Sequence, residues 1–128
     1  MDRTFVALGA VFAFIGVLLG AFAAHGLKGH LTVDHLDTFQ TAVRYQMYHA
    51  LGLVVVGWAS TRWPARGLVW TGWLFAAGIV LFSGSLYALA LTGMRALGAI
   101  APLGGAAFLA GWATLGVSVW RAGDAERA

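Results

Sequence analysis

The sequence predicts an all-α integral membrane protein, a four-helix bundle with a short amphipathic interfacial helix between spans one and two. Of the 128 residues, 60% are hydrophobic and only 10% are charged, and the mean hydropathy is +0.80. A soluble domain carries about 25% charged residues, so lipid rather than water must surround this chain. Four crossings of about 20 residues each use most of its length and leave room for a single transmembrane domain, 1–128.

Four apolar runs give the spans in order. Only Thr92 to Arg95 separate the third run from the fourth, which predicts an antiparallel hairpin. Pro102 lies inside the fourth run, where its ring removes one backbone hydrogen bond, so we expect a kink there. The predicted spans are residues 5–24, 44–61, 68–91 and 96–120.

The interfacial helix is predicted from the segment 31–43, which is polar but periodic. Leu36, Phe39 and Val43 fall at helical spacing, and Thr32 or Asp34 is suited to cap the first turn. We expect this segment to lie at the outer surface of the membrane and then to bend or continue into span two.

The basic residues predict an orientation. With four crossings, the side that carries both termini holds five arginines and the other side holds three basic residues. The positive-inside rule then places both termini in the cytoplasm. The five are Arg3, Arg62, Arg66, Arg121 and Arg127, and the three are Lys28, Arg44 and Arg95.

Gly16, Gly20 and Ala24 recur at every fourth position of span one. Such a stripe allows two helix backbones to approach closely in a membrane. We interpret it as a contact within the chain. A homo-oligomer through the same residues, including an oligomeric channel or small transporter, is the alternative.

Several classes of function are disfavoured by what the sequence lacks. It has no cysteine, hence no disulfide or thiolate metal site, and its basic residues are too scattered to bind nucleic acid. It has no phosphate-binding loop, paired carboxylates or nucleophile–base motif. We therefore expect neither an enzyme nor a resident cofactor.

His25 and His49 are the two histidines nearest the membrane interior. An ionisable residue at that depth should face the bundle and is a candidate functional residue. We favour hydrogen bonds from each ring to a backbone carbonyl or a polar neighbour. The alternative is that the two imidazoles ligate a transition metal or a haem iron.

Polar side chains in the outer half of the predicted bundle suggest a small cleft that binds a small molecule, a lipid head group or a partner helix. The protein would then be a non-enzymatic binding or interaction protein surrounded by membrane lipids. The predicted cleft residues are His25, Tyr45, Tyr48, His49, Ser83, Ser85 and Tyr87.

Two motifs resemble a known family. The segment 20–27 reads G-A-F-A-A-H-G-L, and the segment 41–51 reads T-A-V-R-Y-Q-M-Y-H-A-L. Together with L-F-S-G-S-L-Y-A-L-A-L-T-G at 81–93 and A-P-L-G-G at 101–105, they resemble the small inner-membrane proteins of domain of unknown function 423, also called UPF0382. The resemblance implies a four-span protein of the bacterial inner (plasma) membrane and no transferable activity. Ala23 and Ala101 depart from its pattern, where glycine and threonine are expected.

Overall fold

A computed structural model describes residues 2–128. The chain is all-α, as predicted, and the described residues contain no strand. Helix α1 continues into a first π-helical turn, and α3 continues through a second π-helical turn into α4, so that four long rods result. The elements are α1 (Asp2–Phe22), the first π-turn (Ala23–Leu27), α2 (Val33–Arg62), α3 (Arg66–Gly78), the second π-turn (Ile79–Ser83), α4 (Gly84–Thr92), a 3₁₀ helix (Arg95–Ala99) and α5 (Ala101–Arg127).

Three of the four rods are long and apolar enough to cross a membrane: Arg3–Leu27, Arg66–Thr92 and Arg95–Arg127. The rod formed by α2 is the more polar one, and it lies at the centre of the bundle, in contact with α1, α3, α4 and the second π-turn. One face of α2 is therefore buried in protein, while Leu51, Val55 and Trp58 are exposed. This position explains why α2 can carry Gln46 and His49, both buried, within its apolar half.

The predicted interfacial helix continues directly into span two, which is one of the two expected arrangements, and is not a separate element. Residues 33–43 form the first turns of α2, which runs without interruption from Val33 to Arg62. The Thr32 hydroxyl accepts a hydrogen bond from the backbone N–H of His35 at 3.1 Å and so caps the helix, as its sequence suggested. The amphipathic face of this segment packs on the bundle through Phe39 and Ala42, which are buried.

The rods define two ends of the bundle. At one end, here called the Arg62 end, the Arg62 guanidinium donates to the Glu126 carboxylate at 2.7 Å and joins the end of α2 to the end of α5. The opposite end, here called the His25 end, contains the first π-turn, the start of α2 and the end of α4. A core centred on Phe5, Leu53 and Phe75 lies toward the Arg62 end, and a smaller one contains Phe39 and Ala90.

The stripe of small residues on α1 faces α2 of the same chain. A Cβ atom added to Gly16 would lie 2.6 Å from the Met47 sulfur, and one added to Gly20 would lie 3.3 Å from Val43. Only Ala24, the third residue of the stripe, is exposed. A homo-oligomer through Gly16 and Gly20 would require α2 to move away, so these two glycines serve the contact within the chain.

Pro102 does not kink a helix, contrary to the prediction. The segment before it is a 3₁₀ helix, and α5 begins at Ala101 with Pro102 in its first turn. Backbone N–H groups in a first turn have no intrahelical partner, so a proline there removes no helical hydrogen bond. The change from 3₁₀ to α geometry therefore falls at the place where proline is tolerated best.

Candidate ligand-binding pocket between α2 and α5

A cavity of about 700 Å³ opens between α2 and α5, in the half of the bundle nearer the His25 end. Its walls are mostly aromatic and aliphatic, and its mouth opens sideways, because Tyr48, Leu109 and Trp112 are all exposed on the bundle surface. In a membrane this surface faces acyl chains. The lining residues are Tyr45, Tyr48, His49, Phe82, Pro102, Gly105, Ala106, Phe108, Leu109 and Trp112.

His49 forms the buried floor of this pocket. Its ring stacks on Phe108, with 3.5 Å between centroids and 7° between planes, and meets the Phe75 ring edge-on at 5.2 Å. Its Nδ1 lies 2.7 Å from the Tyr45 carbonyl oxygen. The indole N–H of Trp112 donates to its Nε2 at 2.9 Å. Since Nε2 accepts that bond, Nδ1 carries the ring hydrogen and donates to the carbonyl, and the imidazole is neutral.

Both nitrogens of His49 are therefore occupied, and neither is free to bind a ligand directly. His49 instead acts on the pocket by fixing the indole of Trp112. The hydroxyls of Tyr45 and Tyr48 have no hydrogen-bond partner among residues 2–128, and both side chains are exposed. They are the polar groups that the pocket can offer to an occupant.

Three of the predicted cleft residues, Ser83, Ser85 and Tyr87, lie outside the pocket, and each donates a hydrogen bond within the bundle. The Tyr87 hydroxyl donates to Gln46 Oε1 at 2.6 Å, and Gln46 Nε2 donates to the Phe12 carbonyl at 2.8 Å, so the chain of bonds links α4, α2 and α1. Ser83 donates across to the Ala42 carbonyl of α2 at 2.7 Å. Ser85 donates at 3.0 Å to the Phe82 carbonyl, within its own rod.

His25 belongs to neither group. It is exposed in the first π-turn. Gly20 of α1 faces Val43 of the antiparallel α2, so a rise of 1.5 Å per residue separates His25 from His49 by roughly 16 Å along the bundle. The metal or haem site shared by His25 and His49, the alternative drawn from the sequence, is thus not formed, because of this separation and because both ring nitrogens of His49 are in hydrogen bonds. Among residues 2–128 there is no cluster of three or more potential metal-ligating side chains.

Sequence reasoning missed Gln46, Phe108 and Trp112. Trp112 carried a usable signal, since it lies in the middle of the fourth span rather than at an interface, and an indole N–H at that depth needs an acceptor. Gln46 carried another, as an amide inside an apolar span needs partners for both its donor and its acceptor. Phe108 is an ordinary apolar residue of its span, and its stacking on His49 follows only from the fold.

Two other surface grooves, of about 670 and 600 Å³, lie toward the Arg62 end. The larger is lined by Trp58, Trp63 and Trp120, which suit the membrane–water boundary. Neither groove contains one of the buried polar side chains. The pocket above His49 is therefore the candidate binding site.

The fold and this pocket together define a small helical membrane protein with a lateral, aromatic-lined cavity. The chain belongs to the family described as "Protein of unknown function (DUF423)", whose model matches residues 19–105. It is 52% identical over 111 residues to the UPF0382 membrane protein YwdK of Bacillus subtilis, covering 86% of this chain and 90% of the relative. It is 47% identical over 119 residues to a UPF0382 membrane protein of Staphylococcus haemolyticus, covering 93% and 97%.

These relatives confirm the resemblance seen in the sequence, and they confirm that the protein is a membrane protein. No solved structure matches the chain. Neither the family description nor the names of these relatives include an activity or a ligand. The pocket and the side chains around it therefore provide the basis for a proposal about function.

Proposed function

We propose that this protein is a non-enzymatic, multi-pass protein of the bacterial inner membrane, with both termini in the cytoplasm, which binds a lipid-soluble ligand in the pocket between α2 and α5. The observation that carries the proposal is the lateral cavity of about 700 Å³ with its aromatic walls and two tyrosine hydroxyls that have no hydrogen-bond partner in the described part of the chain. Such a site suits an amphiphile that diffuses in the bilayer and carries a hydrogen-bond acceptor.

The side chains that line the pocket are suited to recognising a ligand inside a lipid bilayer. Acyl chains solvate an apolar ligand as well as an apolar pocket does, so burial alone gives little affinity inside a membrane. Selective binding must come from close packing and from polar contacts. The rings of Phe82, Phe108 and Trp112 provide the first, and the hydroxyls of Tyr45 and Tyr48 provide the second.

The proposal of a binding protein rather than an enzyme is supported by the chemistry of the lining residues. The pocket contains no carboxylate, lysine, cysteine or serine. Its histidine holds both ring nitrogens in hydrogen bonds within the protein. A general base or nucleophile needs a free lone pair within reach of the reacting atom, and these side chains offer only weakly basic phenols.

Blocking the pocket with a side chain tests the proposal. Gly105 lines the cavity, and a Cβ atom added there would have its nearest neighbour, Phe82, at 4.0 Å, so Gly105→Leu fills the pocket without a clash at its Cβ. Gly84 is the matched control, because a Cβ there meets nothing within 4 Å and Gly84 does not line the pocket. Both variants should insert and fold.

The readout is photolabelling by a phosphatidylcholine that carries a diazirine on one acyl chain, followed by mass spectrometry of the labelled peptides. Label on the pocket segments of α2 and α5 should exceed label on the exposed face of α1 around Phe14 and Leu18. Gly105→Leu should remove about 90% of that excess, equivalent to about 1.4 kcal/mol of binding, and Gly84→Leu should retain it. Equal labelling of α1 and the pocket in the unsubstituted protein would contradict the proposal.

A further inference from the structure

The level of the pocket within the membrane is given by two arginines of α2. Arg44 and Arg62 are eighteen residues apart, which corresponds to about 27 Å along the helix. The hydrocarbon core of a bilayer is about 30 Å thick. A bilayer whose core spans the α2 segment between the two arginines places Arg44 at the level of the lipid phosphates in the leaflet at the His25 end.

Arg44 is available to bind an anion at that level. Its side chain is exposed, and no carboxylate within residues 2–128 forms an ion pair with it. The guanidinium Nη2 donates to the Thr41 hydroxyl at 3.0 Å, which orients the group along α2 toward the His25 end. A guanidinium has five N–H donors, so most of them remain free for phosphate oxygens.

Arg44 is also adjacent to the mouth of the pocket. Residues four apart lie above one another on a helix face, and Tyr48, one turn further along α2, lines the pocket. A phosphate on Arg44 would therefore lie above the mouth. An acyl chain attached to that phosphate has a direct path into the cavity beneath it.

We infer that the ligand of this pocket is an anionic phospholipid, bound with its phosphate on Arg44 and one acyl chain between α2 and α5. The inference rests on the proposed function, because it specifies the occupant of the same cavity. The preference for an anionic lipid follows from charge. The His25 end carries three basic residues, Lys28, Arg44 and Arg95, and two acidic ones, Asp34 and Asp37, so its net charge is +1. A net positive charge disfavours the ammonium group of a zwitterionic lipid relative to the uncharged glycerol of phosphatidylglycerol.

The experiment compares two photoreactive lipids in nanodiscs, phosphatidylglycerol and phosphatidylcholine with the same diazirine acyl chain. The variants are Arg44→Gln and Lys28→Gln. The second removes an equal charge at the same end but next to α1, away from the pocket. In the unsubstituted protein, phosphatidylglycerol should label the pocket segments about fivefold more than phosphatidylcholine, the ratio expected for one basic residue at a membrane surface. Arg44→Gln should reduce the ratio to about one, and Lys28→Gln should preserve it.

The outcomes separate this inference from the proposed function. Equal labelling of the pocket by both lipids would overturn the anionic preference while leaving a lipid-binding pocket. Absence of pocket labelling above the level on α1 would overturn both. Equal loss of preference in Arg44→Gln and Lys28→Gln would show a general surface charge effect and would also overturn the inference. Soluble glycerol phosphate should not compete, since it lacks the chain, and full competition by it would identify a phosphate site instead.

Discussion

The buried amide of Gln46 should be a major stabilising contact among α1, α2 and α4. It is only 2% exposed, and it bonds the Tyr87 hydroxyl at 2.6 Å and the Phe12 carbonyl at 2.8 Å. The substitution Gln46→Met keeps the length of the side chain and removes both bonds. The Tyr87 hydroxyl then loses its acceptor, whereas the Phe12 carbonyl keeps its place in the hydrogen bonding of α1.

The expected loss follows from the cost of hydrogen bonds between helices in a membrane, which is about 0.6 kcal/mol on average and up to about 1.7 kcal/mol. Two such bonds predict a decrease of about 1 to 3 kcal/mol in the free energy of unfolding for Gln46→Met. Tyr87→Phe removes one of them and should cost about 0.6 to 1.7 kcal/mol. The double variant should cost less than the sum of the two single variants, because both remove the same bond.

Equilibrium unfolding in mixed dodecylmaltoside and dodecyl sulfate micelles, followed by far-UV circular dichroism, measures these differences. Tyr45→Phe is the control, since it removes a hydroxyl that has no partner within residues 2–128, and it should change stability by less than about 0.5 kcal/mol. The reasoning is refuted if Gln46→Met is as stable as the control. It is also refuted if the losses from Gln46→Met and Tyr87→Phe are additive in the double variant.

Two further predictions concern α5 and the floor of the pocket. A Cβ atom at Gly104 would lie 2.3 Å from the backbone nitrogen of Phe82, whereas one at Gly105 would have its nearest neighbour at 4.0 Å. Gly104→Ala should therefore lower the free energy of unfolding by about 1 to 3 kcal/mol, and Gly105→Ala should leave it unchanged or raise it by up to about 1 kcal/mol. Thermal melts measure both changes. Similar melting temperatures for these two variants would contradict the close approach of α5 to the second π-turn. His49→Leu removes the acceptor of the Trp112 indole N–H and should cost about 1 to 3 kcal/mol, and His49→Gln, which can still accept, should retain most of the stability. Equal losses from the two His49 variants would show that the hydrogen bond contributes little.

Hydropathy was sufficient to predict the all-α class, because the composition of a protein directly reflects whether lipid or water surrounds it. The pattern could not distinguish an interfacial helix from the first turns of α2. A helix that lies on a lipid surface and one that packs on protein both carry an apolar face with the same period, as Leu36, Phe39 and Val43 do. Likewise, Pro102 is compatible with a kink inside a helix and with the first turn of a new one, and the apolar residues before it do not distinguish the two arrangements.

Parts of the candidate site could be predicted from single residues. His49 lies buried against the bundle, as expected for an ionisable residue in a span, and it bonds a backbone carbonyl, as favoured for both histidines. That bond lies within α2 rather than between α1 and α2, and the exposed side chain of His25 makes no hydrogen bond within residues 2–128. The grouping of residues into one cleft could not be predicted. A residue of α2 faces the pocket, as Tyr45 does, or the network around Gln46, depending on the side of the helix on which it lies. The polar residues of this segment follow one another too closely for the sequence pattern to separate the two sides.

The central position of α2 bears on how the chain is inserted during synthesis. A segment that contains Gln46 and His49 partitions weakly from the translocon into lipid by itself. Helix α1 leaves the ribosome first, and it already provides the Phe12 carbonyl and the smooth surface at Gly16 that α2 requires. We therefore expect α1 and α2 to enter the bilayer together as a hairpin. In a chain that lacks α1, we expect α2 to remain at the membrane surface.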